Sequence, residues 1–296
     1  MIGNIGGAIV RSKVVSFDVF DTLVKRSVAD PTEVFLLVSE RIGVGNFKQL
    51  RLRAQQEAFE EMRRCACGEI TIHDIYRHIN LEQDKTARAL DTEIEAERSV
   101  CYQNPRVHAL YRYAREKGKR VIGVSDMYLP GSVVAEILKS CGYDELDALY
   151  VSSDLDANKR DQGDLFRLVL DREGISGRHM VHMGDDAHSD VAVPRGLGIP
   201  SHRVLSRATP RSVAGLPEAS EAAALYRRVA ARTADSPEPG AVSVWEKMGH
   251  RYGGLLHVGY EEWLAGKLRS NSIETALFIS RDGYLLQKAF SRRKDV

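Results

Sequence analysis

Cysteine is scarce: Cys65, Cys67, Cys101 and Cys141 are too few and too scattered for a disulfide framework or a zinc site, so a reducing cytoplasm suits this chain best. No apolar run approaches the length of a membrane span. An excess of one charge is also missing. Lys plus Arg number 42 against 41 Asp plus Glu, which removes the overall field that would recruit nucleic acid or anionic lipid. The mildly apolar start lacks a basic stretch and a small-residue cleavage site, so no signal peptide is expected. Gly3, Gly6 and Gly7 follow no strand and lack the dinucleotide-binding spacing; they read as a loose terminus.

What is present is an ordinary globular composition, 43% hydrophobic and 28% charged, in 296 residues, longer than one typical domain. Short apolar or β-branched runs at residues 14–17, 120–124, 148–152, 180–183 and 202–205 each end near polar turn residues, as buried strands of a parallel sheet do. Helical patterns at 131–140, 164–173 and 189–196 separate the later runs, giving successive βαβ units and a doubly wound, Rossmann-like α/β domain. About a hundred residues separate the first two strands, far beyond a usual connection, so a domain is inserted there. Its pattern is helical at 31–42, 47–65, a short helix opened by a Thr71/Asp74 capping box, and 84–102.

The expected division is therefore 1–24 with 105–207 as the core, 25–104 as a helical cap, and 208–296 as a linker with a mostly helical extension. That extension holds a helix at 218–232 and a helical stretch at 245–267. A strand at 275–279, a turn and a last helix then suggest an α/β unit that adds to the sheet edge or begins a further domain.

Four clusters carry chemistry. Asp18 and Asp21 follow the first strand, and an aspartate at the carboxyl end of a parallel strand points into the crevice where open α/β sheets bind ligands. Ser125 and Asp126 end the second strand, where a hydroxyl can donate to a phosphate oxygen or simply open the next helix. Lys159 or Arg160 follows the third strand, a cation able to neutralise a phosphoryl group. Asp185, Asp186 and Asp190 follow the fourth. Clustered carboxylates repel one another and are costly to desolvate unless they bind a cation, and Mg2+ prefers such oxygen ligands. A helix cap accounts for one of these aspartates but hardly three.

The ordered set of strand-Asp, strand-Ser, Lys, and strand-Gly-Asp with another Asp five residues on resembles the haloacid dehalogenase (HAD) superfamily from residue 14 to 205, with an insertion where that superfamily places a cap. Residues 16–23, the run Ser125-Asp126-Met127-Tyr128-Leu129 and the segment Ser280-Arg281-Asp282-Gly283-Tyr284 look closest to a little-characterised bacterial branch associated with glycosyltransferases and surface-polysaccharide genes.

The resemblance implies a hydrolase of a small phosphorylated compound, a sugar phosphate being favoured, in which Asp18 forms an aspartyl-phosphate. It implies Mg2+ held by Asp18, the backbone carbonyl of Phe20 and Asp185, supported by Asp190, with Asp186 a further ligand or a helix cap. Ser125, Asp126 and Lys159 would bind phosphate, with Arg160 standing in for Lys159, because counting back three from Gly163 reaches Arg160. One position departs from the pattern. Phe20 stands where phosphatases of the superfamily carry an acid-base aspartate, and Asp21 is the nearest substitute. Dehalogenases also carry a bulky residue there, so carbon–halogen hydrolysis is an alternative, as is a catalytically weak phosphate-binding module of a polysaccharide-biosynthesis protein.

Of the remaining polar residues, His182 is expected as a satisfied core residue and His188 as a solvated one. Arg26, Arg51, Arg53, Arg63 and Arg64 are expected mostly on wet helix faces, with some able to meet an anionic substrate.

Overall fold

The structure, a computed structural model, describes residues 2–28, 30–144, 146–204, 243–249 and 253–293. The chain divides into two compact units, Met1–Ala208 and Thr209–Val296.

The first unit opens with a helix, α1 (Ile2–Arg11), where a loose terminus was expected. Ile5, Ala8 and Ile9 recur at helical spacing and are buried, and this apolar stripe outweighs the poor helix propensity of the glycines. Next come β1 (Val14–Phe17), buried along its length, and β2 (Val24–Arg26). Four helices follow: α2 (Val34–Ile42), α3 (Phe47–Cys65), α4 (Ile72–Arg77) and α5 (Gln83–Val100). Thr71 and Asp74 form the expected reciprocal capping box at the start of α4. The chain leaves this insertion through β3 (Cys101–Gln103), which pairs antiparallel with β2, so entry and exit form a two-stranded ribbon.

Regular βα alternation then resumes, with α6 (Pro105–Glu116), β4 (Arg120–Ser125), α7 (Gly131–Ser140), β5 (Ala148–Val151), the short turn α8 (Ser152–Leu155), α9 (Asp164–Glu173), β6 (Met180–Gly184), a π-helical turn (His188–Ala192), α10 (Val193–Gly196) and β7 (Ser201–Arg203). Five strands form one parallel sheet in the order β5-β4-β1-β6-β7. This is a Rossmann-type α/β fold with β1 at its centre. Strands this short and this apolar are stable only when both faces are covered. On one face Ile122, Val124, Leu165, Phe166, Val169, Met180 and Ile199 form a buried cluster.

Register, more than strand count, aligns the strand ends. Phe17 lies beside both Gly123 and Met183, so β1, β4 and β6 end at the same edge. That edge is where the strand order reverses direction about β1, the place where open α/β sheets leave a crevice.

The cysteines depart from expectation. Cys65 and Cys67 form a disulfide across Ala66, whose left-handed backbone (φ 55°) turns the chain sharply at the end of α3. A pair separated by one residue closes too short a loop to act as a framework. Cys101 and Cys141 are buried thiols.

In the second unit, Val244–Met248, Gly254–Ser270 and Gly283–Phe290 are helical, the first opened by a Ser243/Glu246 capping box. The strand expected at residues 275–279 does not form. A strand needs a ladder partner, none is found among the described residues of this unit, and Leu277 and Ile279 stay 89% and 86% exposed. The helix expected at 218–232 and the end of the fifth strand at Leu205 lie outside the described residues. No described helix is long and apolar enough to cross a membrane.

Candidate active site

The shared register carries three clusters to one place. Asp18 is the first residue beyond β1 and is held by its amide, which donates to Met183 O at 2.8 Å. Asp185 follows β6, and Asp190 returns to the same point on the π-helical turn. Oxygens of these three carboxylates all lie within 4.8 Å of one another. Gly184 makes this approach feasible, because a Cβ there would sit 2.3 Å from the Asp190 carboxylate.

Lys159 reaches into the group from the loop after β5. Its Nζ donates to Asp18 Oδ1 at 2.6 Å and to Asp190 Oδ1 at 2.7 Å, with all three side chains buried. Asp190 is supported further: His182 Nε2 lies 3.2 Å from its Oδ1, and the Asp186 amide donates to Oδ2 at 3.1 Å. His182 Nδ1 meets Ser16 Oγ at 2.9 Å, so this fully buried histidine is a satisfied core residue that also steadies Asp190.

Electrostatics separate the three carboxyls. Burial, aided by repulsion from Asp190 and Asp185, outweighs Lys159 and pushes the Asp18 carboxyl up to about 7. Burial and repulsion from Asp21 and Asp190 push Asp185 up to about 6. For Asp190, burial acts upward, but Lys159 and His182 win and hold it well below the usual range. Burial would discharge Lys159, yet Asp18 and Asp190 keep it firmly protonated. One ammonium therefore faces three carboxylates, bonded to Asp18 and Asp190 and not to Asp185. The uncompensated charge and the all-oxygen donor set fit a divalent cation such as Mg2+.

Ser125, at the end of β4, is buried, and its Oγ finds no hydrogen-bond partner among the described residues. A buried hydroxyl left unpaired costs free energy unless a ligand or water completes it. Asp126 takes a different part from the phosphate contact expected of it. Its carboxylate accepts from the Lys159 amide at 2.8 and 3.0 Å and from the Arg160 amide at 3.3 Å, clamping the loop that presents the lysine. Arg160 likewise turns away from Asp18 to form a two-pronged pair with Glu69 at 2.6 and 2.9 Å. Glu69 and Asp126 engage the Arg160 guanidinium, so of the two cations it is Lys159 that meets Asp18.

Asp186 accepts from the amides of His188 and Ser189 at 2.9 and 2.7 Å, the geometry of a turn cap. His188 is exposed, as expected, and also places Nε2 2.9 Å from Arg160 O. Asp21 adopts a left-handed backbone (φ 60°), and its carboxylate lies 3.4 Å from Arg26, a residue that also binds Glu97 and stacks 4.3 Å over the Phe20 ring.

Two arginines of the insertion differ from expectation: Arg26 lies on β2 with its side chain largely buried against Glu97, and Arg51 leaves the solvent altogether. Arg53, Arg63 and Arg64 are exposed, but Arg51 is fully buried. It forms a two-pronged pair with Glu93 at 2.7 and 2.8 Å and lies against Phe35, Tyr76 and Tyr128. Helical periodicity gave no warning, because an Arg beside polar neighbours looks like a solvated face until its partner on α5 is known. Glu97, on α5, was missed for the same reason, and Glu69, between α3 and α4, carries no periodic signal at all.

No protein-family model and no curated protein matches the chain. Among solved structures it is similar to a 2-haloacid dehalogenase from Pseudomonas syringae pv. Tomato DC3000, with 16% identity over 71% of this chain and 90% of that one and a TM-score of 0.47. It is also similar to the L-2-haloacid dehalogenase from Xanthobacter autotrophicus, with 18% identity over 69% and 84% and a TM-score of 0.48. A third likeness is to a HAD phosphatase from Thermococcus onnurineus, with 17% identity over 65% and 86% and a TM-score of 0.44.

Proposed function

We propose that this chain is a Mg2+-dependent hydrolase of the HAD superfamily that removes phosphate from a small phosphorylated metabolite, a sugar phosphate being favoured, with Asp18 as nucleophile. The observation that carries this reading is the junction of Lys159 with Asp18 and Asp190, with Asp185 beside them. Residues 1–24 and 105–207 are the catalytic core, 25–104 the cap, and 208–296 a linker with a mostly helical extension; glycosyltransferase or other polysaccharide-biosynthesis domains are the proposed partners.

In this mechanism an Asp18 oxygen attacks phosphorus, forming the aspartyl-phosphate as the bond to the leaving oxygen breaks; water then attacks that phosphorus and restores Asp18. Asp18, Asp185 and Asp190, with the Phe20 carbonyl, would hold Mg2+, and the ion would supply positive charge against the phosphoryl group. Lys159 places its ammonium against the same charge, and the unpaired Ser125 hydroxyl donates to a phosphoryl oxygen. The Phe20 ring moves no proton. Leaving groups that depart with little protonation are therefore preferred, unless Asp21 supplies the acid.

Phe20 also favours a second reading, carbon–halogen hydrolysis, since a halide leaves without a proton. Three clustered carboxylates speak against it, because halide departure needs no cation. Phosphate release from a panel of sugar and aryl phosphates, with and without Mg2+, alongside halide release from short 2-haloacids, separates the two. Mg2+-dependent phosphate release that Asp18→Asn abolishes is expected; halide release without metal would replace this reading with the second.

A further inference from the structure

The segment linking α3 to α4 in the insertion is fastened to the loop that presents Lys159. Asp156, in a left-handed backbone (φ 49°), accepts from the amides of Gly68 and Glu69 at 2.7 and 3.1 Å through one carboxylate oxygen. Asn158 donates its side-chain amide to Gly68 O at 2.9 Å. The two backbones come so close that a Cβ on Gly68 would fall 1.9 Å from Asp156 O, which only glycine permits.

Beside this contact the Glu69 carboxylate, 3% exposed, takes both prongs of Arg160. A carboxylate this buried is tolerated because its charge is fully partnered. Arg160 also lies 3.4 Å from Asp126, which clamps the amides of Lys159 and Arg160, while His188 holds the Arg160 carbonyl from the loop after β6. The backbone behind Lys159 is thus braced by the core through Asp126, by the acidic loop through His188 and by the insertion through Glu69. Glu69 therefore acts on Asp18 only at one remove, through the loop that carries the lysine.

We propose that Glu69 is a positioning residue for Lys159, the link through which the docked helical insertion sets the phosphate-binding cation; this rests on the phosphohydrolase reading above. An ammonium stabilising charge that develops in the transition state acts through its placement, and a displacement of about 1 Å at such a group costs on the order of 10²-fold in rate. Disturbing Glu69 therefore lowers kcat more than it raises KM.

Release of p-nitrophenol from p-nitrophenyl phosphate with saturating Mg2+ tests the link in full-length protein carrying Glu69→Gln, Arg160→Gln or both. Each single variant is expected to lose roughly tenfold or more in kcat with KM within about twofold, and the double variant to be no worse than the poorer single, because both break one connection. Circular dichroism at the assay temperature reports the folded fraction; should Glu69→Gln fail to fold, the partly exposed Arg160→Gln reads the same link. Unchanged kcat, losses that multiply in the double variant, or losses that only track unfolding would overturn the link alone. Failure of the unaltered protein to release phosphate would instead overturn the phosphohydrolase reading and the link with it.

Discussion

The Lys159 ammonium lies 2.6 Å from Asp18 Oδ1, joining residues 141 positions apart in the buried centre of the site. Replacing Lys159 with Met removes the one ammonium compensating Asp18 and Asp190, and breaking a buried pair from one side typically costs about 3–5 kcal/mol. Denaturant unfolding of Lys159→Met is expected to show a loss of that size without Mg2+, and a smaller loss with it. An unchanged midpoint would mean that the two carboxylates are not held ionised in the fold.

Metal binding is open to a test without activity. Millimolar Mg2+ is expected to raise the thermal midpoint of the unaltered protein, since a ligand bound only to the folded state stabilises it by mass action. Asp185→Asn removes one of three clustered carboxylates and should abolish most of that rise, whereas Asp186→Asn, at a turn cap, should leave it in place. Equal responses from the two variants would disprove the proposed ligand set.

Phe20 predicts a steep dependence on the leaving group. Without a proton donor at that position, aryl phosphates are expected to turn over faster than alkyl phosphates by about 10²–10⁴, the range general acid catalysis usually supplies. Phe20→Asp should narrow this gap if the side chain faces the substrate. A plot of log kcat against leaving-group pKa for both proteins reads the outcome; an initially flat plot would show that an acid is already present.

Acid stability depends on surface pairs of the core. Hydrogen bonding from Arg120, aided by Tyr150, outweighs burial and holds the Glu173 carboxyl below its ordinary 4.5. A depressed folded value means that the stabilisation is present above the ordinary value and is lost as pH falls through the folded one. Glu173→Gln should therefore be less stable at pH 7, by no more than about 1 kcal/mol because Arg120 is half exposed. The difference should shrink as the pH falls below the ordinary 4.5, and unfolding midpoints at pH 7 and in acid measure it. A gap that widens in acid would contradict the assigned partner.

The insertion has its own vulnerable point in Arg51. Glu93→Gln leaves its guanidinium buried with half its pairing, and a loss on the order of 3 kcal/mol is expected. Substituting Arg53, which is exposed, should change stability by less than about 0.5 kcal/mol. Thermal denaturation of the two variants distinguishes them.

Much of the core could be read locally. A strand needs only a few apolar residues and a turn, and a helix an apolar stripe at its own spacing; residues 14–17, 131–140 and 164–173 carry those signals within their own span. Aspartates that directly follow strands inherit their position from the sheet, so Asp18 and Asp185 were recognisable as crevice residues from the chain alone. The N-terminal helix was not, because its glycines argue against helix until Ile5 and Ile9 find a surface to cover. Residues 275–279 failed in the opposite way, having strand-like character without a neighbour to pair with.

Local patterning was enough to place the alternation of strands and helices, the insertion and the carboxylates at strand ends, since each depends on periodicity or on adjacent residues. Three outcomes needed the folded chain: Lys159 rather than Arg160 meets Asp18, Arg51 is buried against Glu93, and Glu69 reaches the cation loop. They rest on partners 141, 42 and 91 residues away, where the gain from pairing charges outside water exists only after the chain has brought them together.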